Sequence, residues 1–173
     1  MNRNVEIKAR VRDPAAFAGR AAALAGDPPR VLRQHDVFFA VPSGRLKLRR
    51  QDGGAELIAY ARPDGTGPRT SRYVLYRTGD PDALQAALAA ALPVLGEVRK
   101  VRRLFLVGRT RIHLDEVAGL GWFMELEVML APGETPAAGA AEARRLAAAL
   151  GIVAGDEVTG AYLDLLRAGK AMP

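Results

Sequence analysis

Alternation between apolar and charged residues recurs along this chain and constrains its fold more than any other feature. In the first such segment, 4–12, an apolar set (Val5, Ile7, Ala9, Val11) alternates with Glu6, Lys8, Arg10 and Arg12. Successive side chains of a strand point to opposite faces, so the segment predicts a strand with one apolar and one charged face. Further strands are predicted at 31–39, 45–49, 55–62, 69–78, 98–107, 109–115 and 123–130.

Helices are predicted between some of these strands. Asp13-Pro14 and Asp80-Pro81 are typical helix starts, with an aspartate at the N-cap and a proline in the first turn. The first helix ends before the run Gly26-Asp27-Pro28-Pro29. Two more helices are predicted at about 140–150 and 156–166, after a Pro/Gly-rich connector at 131–139. Each helix has an Ala/Leu stripe that needs an apolar partner.

Helices packed on the apolar strand faces would bury both apolar surfaces, and the charged faces would then point away from the helices. Seven or eight mainly antiparallel strands are enough to close a small barrel with those charged faces inside. The predicted fold is therefore α+β, an antiparallel β-barrel with helices packed outside. A single domain over residues 1–168 and a flexible tail at 169–173 are expected. The open alternative is a mixed-charge face exposed to solvent.

The charges favour the enclosed arrangement. Eight cations occupy alternating strand positions: Lys8, Arg45, Lys47, Arg49, Arg62, Lys100, Arg102 and Arg111. Such a cluster is repulsive unless carboxylates or a polyanion compensate it. Strand carboxylates are available at Glu6, Asp115, Glu125 and Glu127. Glu125 and Glu127, two residues apart, project from the same face and suit a divalent metal ion.

Composition narrows the chemistry further. The chain has no cysteine and only two histidines, so a metal would bind mainly oxygen ligands, as Mg²⁺ or Mn²⁺ does. The net charge of +6 favours a polyanionic partner. Carboxylates and a cationic wall together suit a nucleotide or inorganic triphosphate, and no P-loop or serine nucleophile elbow is present. No apolar stretch is long enough to span a bilayer, so a cytoplasmic protein is expected.

At this point several short motifs resemble a known family in their order and spacing. Asn4-Val5-Glu6-Ile7-Lys8 resembles the E-x-E-x-K signature of the CYTH superfamily, the triphosphate tunnel metalloenzymes. The other matching motifs are Gln34 to Phe39, Gly44 to Arg49, Glu56-Leu57-Ile58, Arg62-Pro63-Asp64, Gly67-Pro68-Arg69, Ile112 to Val117 and Glu125-Leu126-Glu127. Together they are most similar to the class IV adenylate cyclase branch and to thiamine triphosphatase-like proteins.

The resemblance implies an eight-stranded antiparallel tunnel that binds a triphosphate and Mg²⁺ or Mn²⁺. The implied phosphate-binding residues are Lys8, Lys47, Arg49, Arg62, Arg69, Lys100, Arg102 and Arg111. The implied metal ligands are Glu6, Asp115, Glu125 and Glu127, with Asp115 alternatively a hydrogen-bond partner of a ligand. The candidate catalytic residues are Lys8, Asp115 and His113. Asn4 departs from the signature, which has glutamate there, and this weakens a second metal site. Arg69 lies in a Gly/Pro-rich loop and is alternatively a plain exposed residue.

The resemblance implies one of two reactions, and the sequence does not choose between them. The first is a class IV adenylate cyclase reaction, from ATP to cyclic AMP and pyrophosphate. The second is hydrolysis of inorganic triphosphate, thiamine triphosphate or a nucleoside triphosphate. A non-catalytic polyphosphate- or nucleotide-binding module is a further alternative. RNA binding is disfavoured because the strands lack aromatic platforms, and no membrane partner is expected. Related architectures often pair, so a homodimer is expected.

Several single residues have two interpretations. His113 shares a strand face with Asp115, which suits a general base, and the alternative is an ordinary hydrogen-bonded histidine. Trp122 could stack on a base, with packing as the alternative. Tyr162 is predicted to anchor the last helix. Arg99 and Arg103 have the opposite strand phase to Lys100 and Arg102 and are predicted to lie outside the barrel.

Overall fold

A computed structural model describes residues 2–63 and 65–170, which form eight strands and four helices. The strands are β1 (Asn2–Arg10), β2 (Arg30–Phe39), β3 (Arg45–Gln51), β4 (Gly54–Ala61), β5 (Arg69–Thr78), β6 (Val94–Val107), β7 (Thr110–Val117) and β8 (Gly121–Met129). The helices are α1 (Pro14–Ala25), α2 (Pro81–Ala91), α3 (Pro136–Ala149) and α4 (Tyr162–Lys170).

The eight strands close into one antiparallel barrel. Their order around it is β1-β5-β4-β3-β2-β6-β7-β8, and β8 pairs with β1 to complete the ring. Strands adjacent in the sequence mostly pair as hairpins, but β1 with β5, β1 with β8 and β2 with β6 are long-range pairs. The predicted α+β barrel with helices outside is confirmed.

The apolar strand faces point outward and pack under the helices. Val5 and Ile7 of β1 are almost fully buried in a cluster that includes Phe17 of α1 and Leu146 of α3. Gly139 allows α3 to approach β1 closely, because a Cβ there would lie 3.0 Å from the Cγ2 of Val5. The charged faces are thereby left to the inside of the barrel, since side chains alternate along each strand.

The first two helices begin where the sequence predicts. The Asp13 carboxylate accepts a hydrogen bond from the Ala16 amide at 2.9 Å, and the Asp80 carboxylate accepts one from the Ala83 amide at 3.0 Å. Each aspartate satisfies an amide that has no partner within its helix. After α1, Gly26 takes a left-handed conformation with φ of 78° and ends the helix.

The C-terminal helices differ from the prediction. The predicted helix at 156–166 is wrong at its start, because Ala154–Asp156 is a separate 3₁₀ turn and α4 begins only at Tyr162. Gly160, which lies between them, has a left-handed φ of 79° and so prevents a continuous helix. Helix α3 begins at Pro136 instead of about 140, since proline is well tolerated in a first turn.

The chain's C-terminus is only partly described. Of the predicted flexible tail at 169–173, residues 171–173 lie outside the described residues. Within the described part of the chain, no helix has the length and apolar character needed to cross a bilayer.

Candidate active site in the barrel interior

The charged strand faces meet inside the barrel and line a cavity of about 510 Å³. Seven of the eight predicted phosphate-binding residues line it: Lys8, Lys47, Arg49, Arg62, Lys100, Arg102 and Arg111. Three of the four predicted metal ligands line it as well: Glu6, Glu125 and Glu127. The described lining holds nine Lys or Arg and six Asp or Glu residues, so it has a net positive charge. The alternative of a solvent-exposed charged face is wrong.

Asp36 on β2 neutralises two of these cations. Its carboxylate accepts hydrogen bonds from Arg49 Nε at 2.7 Å and from Lys47 Nζ at 2.8 Å. Antiparallel pairing of β2 with β3 places Asp36 directly opposite Arg49. Burial alone would raise the pKa of Asp36, but the charges of Arg49 and Lys47 hold that pKa well below its usual value. Asp36 is therefore ionised at neutral pH.

Asp115 on β7 lies behind the cavity wall and is fully buried. Its oxygens accept hydrogen bonds from Lys100 at 3.0 Å, from Arg102 at 2.7 Å and from the Tyr162 hydroxyl at 3.0 Å. Burial would raise the pKa of Asp115, but Arg102 and Lys100 lower it instead. Because three donors occupy this carboxylate, the geometry favours a positioning role over the predicted metal ligation. Burial beside Arg102 lowers the pKa of Lys100 to about 7.

Residues 160–162 lie at one end of the cavity. The Gly160 carbonyl accepts hydrogen bonds from Lys8 at 3.1 Å and from Arg62 at 3.0 Å. Lys8 also forms an ion pair with Glu125 at 3.0 Å, and its ammonium lies 4.0 Å from the centre of the Tyr162 ring. Arg62 in addition donates a hydrogen bond to the Glu6 carboxylate. Both cations are thus held in place by partners from different elements.

Glu127, Glu125 and His113 form a compact group in the middle of the cavity. Each offers one ligand atom, and these atoms lie within 4.8 Å of one another. Burial raises the pKa of Glu127, and the nearby Glu6 and Glu125 raise it further while Arg102 opposes them. Burial, followed by the charge of Arg102, holds the pKa of His113 well below its usual value, so its imidazole is neutral at neutral pH. These three residues could hold a divalent ion.

The other end of the cavity has a rim of mixed character. Five aliphatic residues line it there: Leu32, Ile58, Leu75, Leu104 and Leu106. Ile58 lies opposite Leu75 in the β4–β5 pair, near the end of the barrel remote from Lys8. Leu75 and Leu106 remain 37% and 54% exposed, so this end faces solvent. Charged residues line the same end: Arg30 lies opposite Leu104, Glu56 lies opposite Arg77, and Asp52 is nearby. The cavity therefore combines a charged interior with an entrance of both aliphatic and charged side chains.

The remaining predicted residues lie elsewhere. Arg69 is buried and donates a hydrogen bond to the Gly65 carbonyl, so the exposed alternative is wrong, but the described cavity lining does not include it. Arg45 forms an ion pair with Asp164 at 3.0 Å, also away from that lining. Arg99 and Arg103 are exposed outside the barrel, as predicted.

The structure shows the surroundings of Trp122, Tyr162 and His113, each of which had a predicted role. Trp122 packs against the outer apolar cluster, with Arg103 5.7 Å from its ring centre, so the packing alternative is confirmed. Tyr162 anchors α4 as predicted but also lines the cavity and binds Asp115. His113 Nδ1 has no hydrogen-bond partner within residues 2–63 and 65–170, and both interpretations of this histidine stay predictions.

Sequence reasoning missed the role of Asp36, although a signal for it exists. The turn at 42–44 joins two strands, and counting outward from it places Asp36 opposite Arg49. The contact of Tyr162 with Asp115 had no such signal, because 47 residues separate them and the start of the last helix was predicted incorrectly.

Comparison with known proteins agrees with this architecture. A protein of Pyrococcus horikoshii is 22% identical, with a TM-score of 0.80, over 94% of this chain and 99% of that one. A Vibrio parahaemolyticus protein described as a candidate adenylate cyclase is 22% identical, with a TM-score of 0.73, over 95% and 97% of the two chains. A Hippeastrum protein, described as a candidate adenylyl cyclase with a dominant triphosphatase activity, is 20% identical, with a TM-score of 0.70, over 98% of each chain.

These likenesses to solved structures establish the fold. The search of curated proteins gives no significant match. The CYTH domain family model matches residues 2–162, which is nearly the whole chain and includes all eight strands. The chain therefore belongs to the CYTH family.

Proposed function

We propose that this protein is a divalent-metal-dependent enzyme that acts on an organic triphosphate, in the first instance as an adenylate cyclase that converts ATP to cyclic AMP and pyrophosphate. The observation that supports this most is the single cavity in which Lys47, Arg49, Lys100 and Arg102 are held by buried carboxylates. Its volume of about 510 Å³ lies within the roughly 300 to 1,000 Å³ typical of small-molecule sites.

The cations of the cavity would bind the phosphate oxygens. Arg49 and Arg102 suit two-point binding because a guanidinium is a planar fork, whereas Lys8, Lys47 and Lys100 act as point charges. Asp36 and Asp115 keep these cations oriented before the substrate arrives, so little reorganisation is needed at the moment of reaction. A triphosphate would thus replace part of an existing ion-pair network. Arg62 and Arg111 complete the proposed binding set, and the role of Arg69 as a phosphate ligand stays a prediction.

The carboxylates Glu6, Glu125 and Glu127 would hold the metal ion. Their donor chemistry fits Mg²⁺ or Mn²⁺, and the crowding that raises the pKa of Glu127 is of the kind a cation relieves. When bound, such an ion neutralises phosphate charge and polarises the phosphorus that is attacked.

The aliphatic residues of the rim support an organic substituent on the triphosphate. Inorganic triphosphate has no group that could use Leu32, Leu75 and Leu106, whereas an adenosine or thiamine moiety has a flat ring system for such a surface. In the cyclase reaction the 3′-hydroxyl oxygen of ATP forms a bond to the α-phosphorus. The bond from that phosphorus to the bridging oxygen breaks and pyrophosphate leaves. The hydroxyl proton goes to the neutral imidazole of His113 or to water, and the catalytic roles of Lys8 and Asp115 stay predictions.

Hydrolysis of the triphosphate is the second candidate. It uses the same phosphate contacts but directs water, instead of a ribose hydroxyl, at a terminal phosphorus. The Hippeastrum protein, which shares this fold, is described as having a dominant triphosphatase activity, and this favours testing hydrolysis on equal terms.

Product analysis separates these reactions. The purified chain is incubated with ATP, thiamine triphosphate or tripolyphosphate, each with Mg²⁺ or Mn²⁺, and products are quantified by chromatography. Cyclic AMP with pyrophosphate supports the cyclase, whereas orthophosphate without cyclic AMP supports the triphosphatase. Tight binding without turnover of any substrate would overturn both and leave a binding module. Lys47→Ala should abolish turnover, while Arg99→Ala, an exterior control, should not. A cytoplasmic location and a homodimer stay predictions.

A further inference from the structure

One buried histidine nitrogen in the cavity lacks a hydrogen-bond partner among the described residues. The His113 side chain is 96% buried and its Nδ1 has no hydrogen-bond partner within the described ranges 2–63 and 65–170. Buried polar atoms are nearly always satisfied, so a persistent exception points to an ion or a ligand. The nitrogen is not isolated, because it lies 3.8 Å from Oε1 of Glu127.

The barrel places His113 among carboxylates by its strand register. His113 of β7 lies directly opposite Glu125 of β8, and Glu127 follows two residues later on the same face. On the other side of β8, Glu127 lies opposite Glu6 of β1. Three rigid strands therefore aim one imidazole and three carboxylates at the same part of the cavity.

The spacing of the ligand atoms fits one ion. The atoms offered by His113, Glu125 and Glu127 lie within 4.8 Å of one another. Ligands at about 2.1 Å from an octahedral ion are separated by about 3.0 to 4.2 Å, so small side-chain adjustments would bring all three into one coordination sphere. Glu125 Oε1 pairs with Lys8 at 3.0 Å and Glu125 Oε2 pairs with Arg102 at 2.6 Å, so a metal ion bound here would replace one of these two contacts.

We propose that the metal centre of this tunnel is a mixed nitrogen–oxygen site in which His113 Nδ1 is a ligand beside Glu125 and Glu127, and that it therefore selects Mn²⁺ over Mg²⁺. Mg²⁺ prefers oxygen ligands and keeps much of its water, whereas imidazole is a good ligand for the transition metals. His113 would then be a positioning ligand for the metal and not the base that accepts the substrate proton. The inference rests on the proposed function in placing the metal in this cavity.

The test measures metal binding without any triphosphate. Full-length protein, labelled with ¹⁵N only in histidine, is titrated with Mn²⁺ and followed by electron paramagnetic resonance, with Mg²⁺ as competitor. One Mn²⁺ should bind per chain, at least about tenfold more tightly than Mg²⁺, which is about 1.4 kcal/mol. Pulsed spectra of bound Mn²⁺ should show coupling to a ¹⁵N nucleus. Either an absence of Mn²⁺ binding or an absence of ¹⁵N coupling overturns the proposal.

Variants provide the matched comparison. His113→Gln retains a polar side chain but replaces the imidazole by an amide, so it should lose the ¹⁵N coupling and most of the Mn²⁺ preference. The control is His35→Gln, which changes the other histidine, paired with Glu97 outside the barrel. This variant should leave the ¹⁵N coupling and the Mn²⁺ preference unchanged. If His113→Gln does not fold, the coupling in the parent still decides the question.

The outcomes also separate this inference from the proposed enzymatic function. A parent that turns over an organic triphosphate but shows no histidine coupling overturns the metal assignment alone. A parent with the coupling and the Mn²⁺ preference, but without turnover of any triphosphate, leaves the metal assignment standing and overturns the enzymatic proposal.

Discussion

Replacing Asp36 by asparagine should change stability and ligand affinity in opposite directions. The Asp36 side chain is only 3% exposed and accepts hydrogen bonds from both Arg49 and Lys47. Asparagine has almost the same shape, so Asp36→Asn removes the negative charge while disturbing the packing little. Two neighbouring cations then face each other in the empty cavity without their shared anion.

The expected loss of stability is large. Breaking a buried ion pair by removing one partner costs about 3–5 kcal/mol, because the remaining charge is left uncompensated. For a chain of this length, 1 kcal/mol shifts the melting temperature by about 2–4 °C, so the variant should melt roughly 6–20 °C below the parent. Urea unfolding at pH 7 measures the difference in unfolding free energy between the parent and Asp36→Asn directly.

Triphosphate binding should respond in the opposite way. In the parent, a phosphate must compete with Asp36 for Arg49 and Lys47, whereas in Asp36→Asn both donors are available. One extra charge-assisted hydrogen bond of about 1.4 kcal/mol tightens the dissociation constant by about tenfold. Titration calorimetry with tripolyphosphate in metal-free buffer measures this dissociation constant for the parent and for Asp36→Asn.

The control is Glu97→Gln, which changes a half-exposed carboxylate on the outer face of the barrel. It should alter stability by less than about 1 kcal/mol and leave tripolyphosphate affinity unchanged. The reasoning is refuted if Asp36→Asn is as stable as the parent, or if it binds tripolyphosphate more weakly.

Four further predictions follow from the site. Leu106→Ser should raise KM for ATP several-fold but leave tripolyphosphate hydrolysis or binding unchanged, and an equal effect on both would exclude an organic group at the rim. Tyr162→Phe should lower the unfolding free energy by about 1–3 kcal/mol in urea, because Asp115 loses a buried hydrogen bond. The pKa values of Asp36 and Asp115 are lowered by folding. The stability that they contribute is therefore present above about pH 4 and lost as pH falls further. In an acid titration followed by circular dichroism, Asp36→Asn should lose less folding stability than the parent as the pH falls below about 4. Lys100, with a pKa of about 7, binds fewer protons in the folded chain than in the unfolded one between about pH 7 and pH 10, so its contribution makes stability rise with pH there. Lys100→Met should flatten that slope in urea unfolding at pH 7 and pH 9.

Local pattern was enough to predict most of the barrel. For residues 5–9 of β1, the alternation predicted which residues are buried outside and which line the cavity, because strand side chains have a strict period of two. It was wrong for Arg10 and Arg12, because β1 ends at Arg10 and the described cavity lining includes neither. The Asp-Pro starts of α1 and α2 were predictable for a similar reason, since capping depends on residues three positions apart.

Long-range pairing was not predictable in this way. Alternation does not reveal that β1 pairs with β5 and β8 or that β2 pairs with β6, and these contacts close the ring. The same limit applies to Tyr162, whose role depends on where α4 meets β7. It applies also to His113, because its unpartnered nitrogen can be recognised only once every neighbouring strand is in place.

The central claim is that alternate residues of these strands face a shared polyanion-binding interior, and adjacent arginines on β3 test it most directly. Arg49 lines the cavity, whereas Arg50 points outward and donates to Gln85 of α2. The measurement is the affinity of folded Arg49→Gln and Arg50→Gln for tripolyphosphate by titration calorimetry. Arg49→Gln should bind at least about tenfold more weakly than the parent, and Arg50→Gln should bind as the parent does. Equal affinities for the two variants, or a larger loss in Arg50→Gln, would contradict the claim.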